Sequence, residues 1–79
     1  MINMKRLTKE TRRILDQMDV DAAMANVGAL GFKPDTREIA EAGMHKARLK
    51  AGGAFTREQR ETSRQWLRDH GFKVPSRLN

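Results

Sequence analysis

The sequence predicts an all-α protein, a small bundle of three to four short helices. Apolar residues recur at helical spacing along the chain, and capping residues and glycine stops punctuate them at intervals of one helix length. No segment alternates with a period of two or concentrates β-branched residues, so nothing argues for a strand.

The first element rests on Leu7, Thr11, Ile14, Leu15 and Met18, which fall on one stripe, with Lys9, Arg12, Arg13 and Asp16 on other faces. Thr8 is its N-cap candidate. Val20, Ala23, Met24, Val27 and Leu30 form a second stripe, rotated from the first, which favours a bend near Asp19 over one helix continuous through residue 30. Gly31 is a natural stop and Pro34 prevents continuation. Asp35-Thr36-Arg37-Glu38 then reads as a start signal with Asp35 at the N-cap and Glu38 three residues on. The helix it opens runs to about Lys50 and carries Ile39, Ala40, Ala42, Met44, Ala47 and Leu49. Gly43 in its middle costs about 1 kcal/mol of helix propensity, so either the helix breaks there or another backbone packs against it. Gly52-Gly53 ends the segment. Thr56-Arg57-Glu58-Gln59 is a capping box for the last helix, which runs to Asp69 or His70 and stops at Gly71, with Pro75 beyond. Leu30-Gly31-Phe32-Lys33 echoes His70-Gly71-Phe72-Lys73, the same stop chemistry used twice, with Phe folding back on the core. The chain reads as one domain over residues 1–79, with frayed ends at 1–6 and 75–79.

Composition narrows the function classes. The 79 residues contain no Cys, which excludes disulfides, thiolate metal sites and a cysteine nucleophile. No apolar run approaches the roughly 18 residues of a membrane span, and Met1–Lys5 carries no secretory apolar segment. The expected compartment is the cytoplasm, of a prokaryote or one of its viruses. Three Ile, six Leu, three Val, five Met, three Phe, one Trp and nine Ala support one small core. They leave no room for an enclosed substrate pocket of ~300 Å³, so the expectation is a non-enzyme without a cofactor. A homodimer would supply apolar surface that the monomer lacks. The formal net charge of +6 is uneven: residues 1–18 carry +3, residues 19–43 carry −3 and residues 44–79 carry +6. This fits a basic binding face with an acidic back, or a protein docking surface.

The positive charge gathers on the last helix. At about 100° per residue, Arg57, Arg60, Arg64 and Arg68 share an arc of about 80°, next to a narrow stripe of Gln59, Ser63, Trp66, Leu67 and His70. The arginine ridge is either a contact for phosphates or acidic side chains, or a solvated face on which Glu61 pairs with Arg57 and Arg64. Trp66 is either a core anchor or a partner-facing hot spot. Lys46, Arg48 and Lys50 form a second basic cluster, which either grips a nucleic-acid backbone or complements a helix C-terminus. His45 and His70 are too few for a metal site, and Ser63 and Ser76 have no base in a matching motif. A helix-turn-helix is weakly suggested by Thr36–Met44, with Gly43 as the turn and His45–Lys50 as a short second helix.

Three patches together resemble one family, the theta subunit of bacterial DNA polymerase III and its phage-encoded homologue. Val20-Asp21 with the alanines that follow, up to Phe32-Lys33, is similar to that family's first-helix segment. Ile39-Ala40-Glu41-Ala42 is similar to its Ile-Ala-Glu-Ala segment. Arg57-Glu58-Gln59, Glu61, Arg64, Trp66 and Arg68 resemble its last-helix pattern. About half of the chain is covered. The departures are extra residues from Lys46 to Phe55, Arg60 where the family has Pro, and no counterpart for the first 18 residues. The resemblance implies a three-helix protein without catalytic residues that stabilises a proofreading exonuclease subunit. Its matching positions are Ile39, Trp66, Leu67 and the arginine ridge.

The leading expectation is therefore a non-catalytic accessory protein in DNA metabolism that docks on a larger protein through Ile39, Arg57, Arg60, Arg64, Trp66, Leu67 and Arg68. The alternative is a small DNA-binding regulator, or a phage-encoded inhibitor of a nucleic-acid enzyme. For DNA it would use Lys46, Arg48, Lys50, Arg60, Arg64 and Arg68.

Overall fold

The computed structural model describes residues 8–25 and 34–75. Among them run four α-helices, α1 (Lys9–Gln17), α2 (Val20–Ala25), α3 (Arg37–Ala51) and α4 (Arg57–Asp69), with a 3₁₀ turn at Gly52–Ala54 between the last two. The all-α reading holds, and no strand occurs among the described residues. The frayed ends, and Val27, Leu30, Gly31 and Phe32 of the second stripe and its stop, lie outside the described residues.

Thr8 caps α1, its hydroxyl accepting from the Thr11 amide at 3.0 Å. The expected break before Asp19 is made by Met18, a non-glycine residue in the left-handed region at φ 49°. The Asp19 amide then donates back to the Ile14 carbonyl at 3.0 Å. Asp19 in turn starts α2, its Oδ1 accepting from the Ala22 amide at 3.1 Å. One carboxylate residue thus ends one helix and opens the next.

Two readings of α3 are corrected. Thr36, not Asp35, is the N-cap: its hydroxyl accepts from the Ile39 amide at 3.1 Å. Glu38 therefore sits one position earlier in the first turn than expected, where its charge still complements the helix dipole. Gly43 does not break the helix, because α3 is continuous from Arg37 to Ala51. The helix-turn-helix reading fails with it, since its turn residue lies in mid-helix.

The reason α3 tolerates Gly43 is its place in the fold. Seven of its residues are buried, namely Ala40, Ala42, Met44, His45, Ala47, Arg48 and Leu49, so tertiary packing outweighs a local propensity cost of about 1 kcal/mol. On one side Ala40, Met44 and Ala47 join Ile14, Leu15, Val20, Ala23 and Phe55 in the main core. On the other, Ala42 and Leu49 meet Leu67, with Trp66, Phe72 and Val74 packed against them. Contacts from Arg48 to Gln59 and from His45 to Ser63 pair advancing positions of α3 with receding positions of α4. The two helices are therefore an antiparallel hairpin.

The capping box of α4 is complete, Thr56 Oγ1 accepting from the Gln59 amide and Gln59 Oε1 accepting from the Thr56 amide. Gln59 also reaches out of the box, its Nε2 donating to Asp16 Oδ1 at the end of α1 at 2.6 Å. At the other end, Gly71 at φ 77° lets the Phe72 amide return to the Leu67 carbonyl at 2.8 Å, a Schellman stop that lays Phe72 on the second core. Gly53 differs: it is exposed, its φ is not positive, and a Cβ there would meet nothing within 4 Å. Gly53→Ala is expected to stabilise the protein by about 0.4–1 kcal/mol by restricting the unfolded chain. A urea midpoint that falls instead would contradict this.

Candidate functional site

The residues around the α3–α4 hairpin separate into three groups. Arg48 and Leu67 are interior. Leu67 has no exposed surface and fills the α3–α4 seam, so a partner cannot touch it while the hairpin is packed. Arg48 is 5% exposed. Its Nε donates to the Leu15 carbonyl at 2.9 Å and its Nη2 to the Asp16 carbonyl at 3.0 Å. Nη1 points to the Gln59 carbonyl and Ser63 Oγ, both at 3.4 Å. Neither residue is available to a partner or a phosphate, and both predictions are corrected.

The reason the Lys46-Arg48-Lys50 cluster fails as a unit is helical geometry. Residues two apart point about 160° away from each other on a helix. Lys46 and Lys50 share an arc of about 60° with Ile39 and Gly43, while Arg48 faces the interior. Ile39 is half-buried and Lys50 exposed. The Arg48 guanidinium meets the C-terminal carbonyls of α1, the negative end of that helix dipole. The last-turn reading holds in part: Lys50 and Arg48 lie in the last turn of α3, while the Arg48 guanidinium also complements the C-terminus of α1.

The second group is polar and buried, and sequence reading missed it. His45 Nδ1 lies 2.8 Å from Ser63 Oγ, and His45 Nε2 lies 3.8 Å from Glu41 Oε2 with no hydrogen-bond partner. Ser63 Oγ has one proton and two acceptor sites, so it accepts from Arg48 and also shares a hydrogen bond with His45 Nδ1 whose direction follows the imidazole tautomer. Burial, then the nearby charges of Arg48 and His70, push the His45 pKa down to about 4, so the ring is neutral at pH 7. The row Ser63–His45–Glu41 has the residue types of a hydrolytic triad. Ser63, however, has no exposed surface, and no substrate reaches its hydroxyl in the packed hairpin. The available signal was His45 at spacings of three and four from Ala42 and Leu49, which puts it on the seam stripe.

The third group is the surface of α4. Trp66 is half-buried and stacks on His45 at 4.7 Å between centroids, on exposed His70 at 3.9 Å and on Phe72 at 5.7 Å. Lys46 Nζ lies over the Phe72 ring at 5.9 Å. Trp66 is thus anchored on one side and open on the other. Its open side forms, with Thr62, Gln65 and Asp69, a shallow groove of about 320 Å³. The arginine ridge does not share this face, because Trp66 lies about 120° to 160° around the helix from Arg60, Arg64 and Arg68. Arg57 and Arg68 are exposed, and Arg60 and Arg64 are half-exposed. Glu61 pairs with Arg64 at 2.6 Å, and Arg60 Nε donates to the Thr56 carbonyl at 3.4 Å. The single docking face expected from sequence is therefore two faces, one aromatic and one cationic, on opposite flanks of the same helix.

Among the described residues no cluster of His, Asp and Glu has the arrangement of a metal site, and no helix is long and apolar enough to cross a membrane. No protein-family model, curated protein or solved structure matches the chain.

Proposed function

We propose that this chain is a small helical accessory protein of DNA metabolism that docks on a larger protein through the aromatic flank of α4. The observation that carries the reading is Trp66, a large amphipathic ring held rigid by His45, His70 and Phe72 and open on the Thr62–Gln65–Asp69 side. A preordered Trp beside a shallow groove is the kind of residue that concentrates binding energy at protein interfaces. The likeness to the theta family points to a proofreading exonuclease subunit as the partner. Two of the resembling patches, Ile39–Ala42 and Arg57–Arg68, belong to the paired helices α3 and α4, which supports reading them together. One departure is substantive. The extra residues Lys46–Phe55 form the second half of α3 and the turn after it, and they bury Ala47, Arg48, Leu49 and Phe55. Any theta-like protein of this form has a longer central helix as an integral part of its core.

The test is direct. Purified protein is mixed with the purified proofreading exonuclease subunit of a bacterial DNA polymerase III. Co-elution, and a raised melting temperature of the exonuclease, are expected. Thr62→Tyr fills the groove without changing charge and is expected to weaken the complex by tenfold or more, about 1.4 kcal/mol. No complex with the wild-type chain would overturn the partner assignment. A complex indifferent to Thr62→Tyr would overturn the docking face.

A further inference from the structure

The geometry points to a second binding surface on α4, a ridge for the phosphate backbone of duplex DNA, on the flank away from the groove. Arg57, Arg60, Arg64 and Arg68 follow one flank of α4 across eleven residues, or about 16 Å. One strand of B-DNA places a phosphate every ~3.4 Å of helix axis but winds around that axis, so a ridge of this length meets about two or three phosphates of one strand with its four guanidinium groups. Guanidinium forks match phosphate oxygens in pairs. Of the acidic residues of α4, Glu61 lies nearest, about 20° beyond the arc, and it pairs with Arg64 at 2.6 Å, which leaves a net of about three positive charges along the ridge.

Duplex, not single-stranded, nucleic acid follows from what the ridge lacks. Single-strand binders stack bases on exposed aromatic rings. The one aromatic ring carried by α4, Trp66, lies about 120° to 180° around the helix from the ridge and is stacked on Phe72. The ridge therefore reads backbone charge alone and is indifferent to sequence. It is also independent of Lys46 and Lys50, which lie on the outer arc of α3. This surface does not rest on the docking proposal: it uses different residues, and either surface can exist without the other.

The experiment is fluorescence polarisation with a labelled 20-base-pair duplex at 50 to 200 mM salt. Wild-type protein is expected to bind at low salt with a log–log salt slope of about −3, the mark of about three phosphates neutralised. Arg57→Glu with Arg60→Glu and Arg68→Glu is expected to weaken binding more than tenfold and flatten the slope, with its helical circular dichroism retained. Lys46→Glu with Lys50→Glu, and Thr62→Tyr, are expected to stay within threefold of wild type. No wild-type binding at 50 mM salt would overturn the proposal and leave the ridge to an acidic protein surface. Equal losses in the ridge and Lys46/Lys50 variants would also overturn it, as would tighter binding to a single strand of the same length.

Discussion

Arg48→Met is expected to lower the stability of this protein by about 3 kcal/mol, and its melting temperature by about 12–24 °C at the scaling of a domain this size. Met keeps the apolar stem of Arg48 and drops three heavy atoms, so the larger part of the loss is not one of volume. It comes from the carbonyls of Leu15, Asp16 and Gln59, which lose their donor inside the fold. A buried charge pair can often be replaced by apolar side chains without harm, because both partners leave. Here the acceptors are main-chain groups and cannot leave. Arg48→Lys keeps the charge but not the fork and is expected to recover only part of the loss. Lys50→Met, an exposed neighbour two residues on, is expected to change stability by less than about 0.5 kcal/mol. Equilibrium unfolding in urea checks all three. A melting temperature for Arg48→Met close to wild type would sink the view that this guanidinium holds α1, α3 and α4 together.

The second large effect is on pH. His45 is a base whose folded pKa, about 4, lies below its ordinary 6.5. Between these values the unfolded chain binds a proton that the folded chain refuses, so stability falls as the pH drops. The contribution is fully intact above pH 6.5 and is lost by about pH 4. Over that window the loss is roughly 3 kcal/mol, at about 1.4 kcal/mol per unit. Its cause is burial of the ring between α3 and α4, reinforced by Arg48 and His70, although the Glu41 carboxylate lies 3.8 Å from Nε2. His45→Gln keeps a hydrogen-bonding group opposite Ser63 and does not titrate. It is expected to remove most of the slope of unfolding free energy against pH between 4 and 6.5. Identical slopes for the two proteins would show that the acid sensitivity arises elsewhere.

How much of the molecule could be read in advance depends on the range of the forces involved. Thr8, Thr56 with Gln59, the break before Asp19 and the stop at Gly71 are local: each joins groups within five residues, and each was legible in the sequence. The shift from Asp35 to Thr36 is a near miss of the same kind, two adjacent capping residues competing for one turn. Gly43 was not legible, because its cost is local but the packing that overrides it comes from α1, α2 and α4. The candidate site divides in the same way. The arginine ridge is a repeat of three and four residues on one helix, and its exposure follows from that spacing. Arg48 was grouped with Lys46 and Lys50 because they are neighbours in sequence, although helical geometry sets residues two apart on opposite sides. Leu67 is expected at a partner surface because it matches the family's pattern, and a pattern match carries no information on depth, which packing sets at zero exposure.

Sequence by itself thus determined the all-α class, the starts of the first and last helices, and the concentration of positive charge on the last helix. These follow from periodicity and capping, which act within a turn or two of the chain. Only the tertiary structure decided which cation lies inside and which outside, that His45 and Ser63 meet across 18 residues, and that Trp66 and the arginines look in different directions. Those outcomes depend on which faces of α3 and α4 are used up by packing. Packing is set by the match between helices distant in sequence, and no single stripe reveals it.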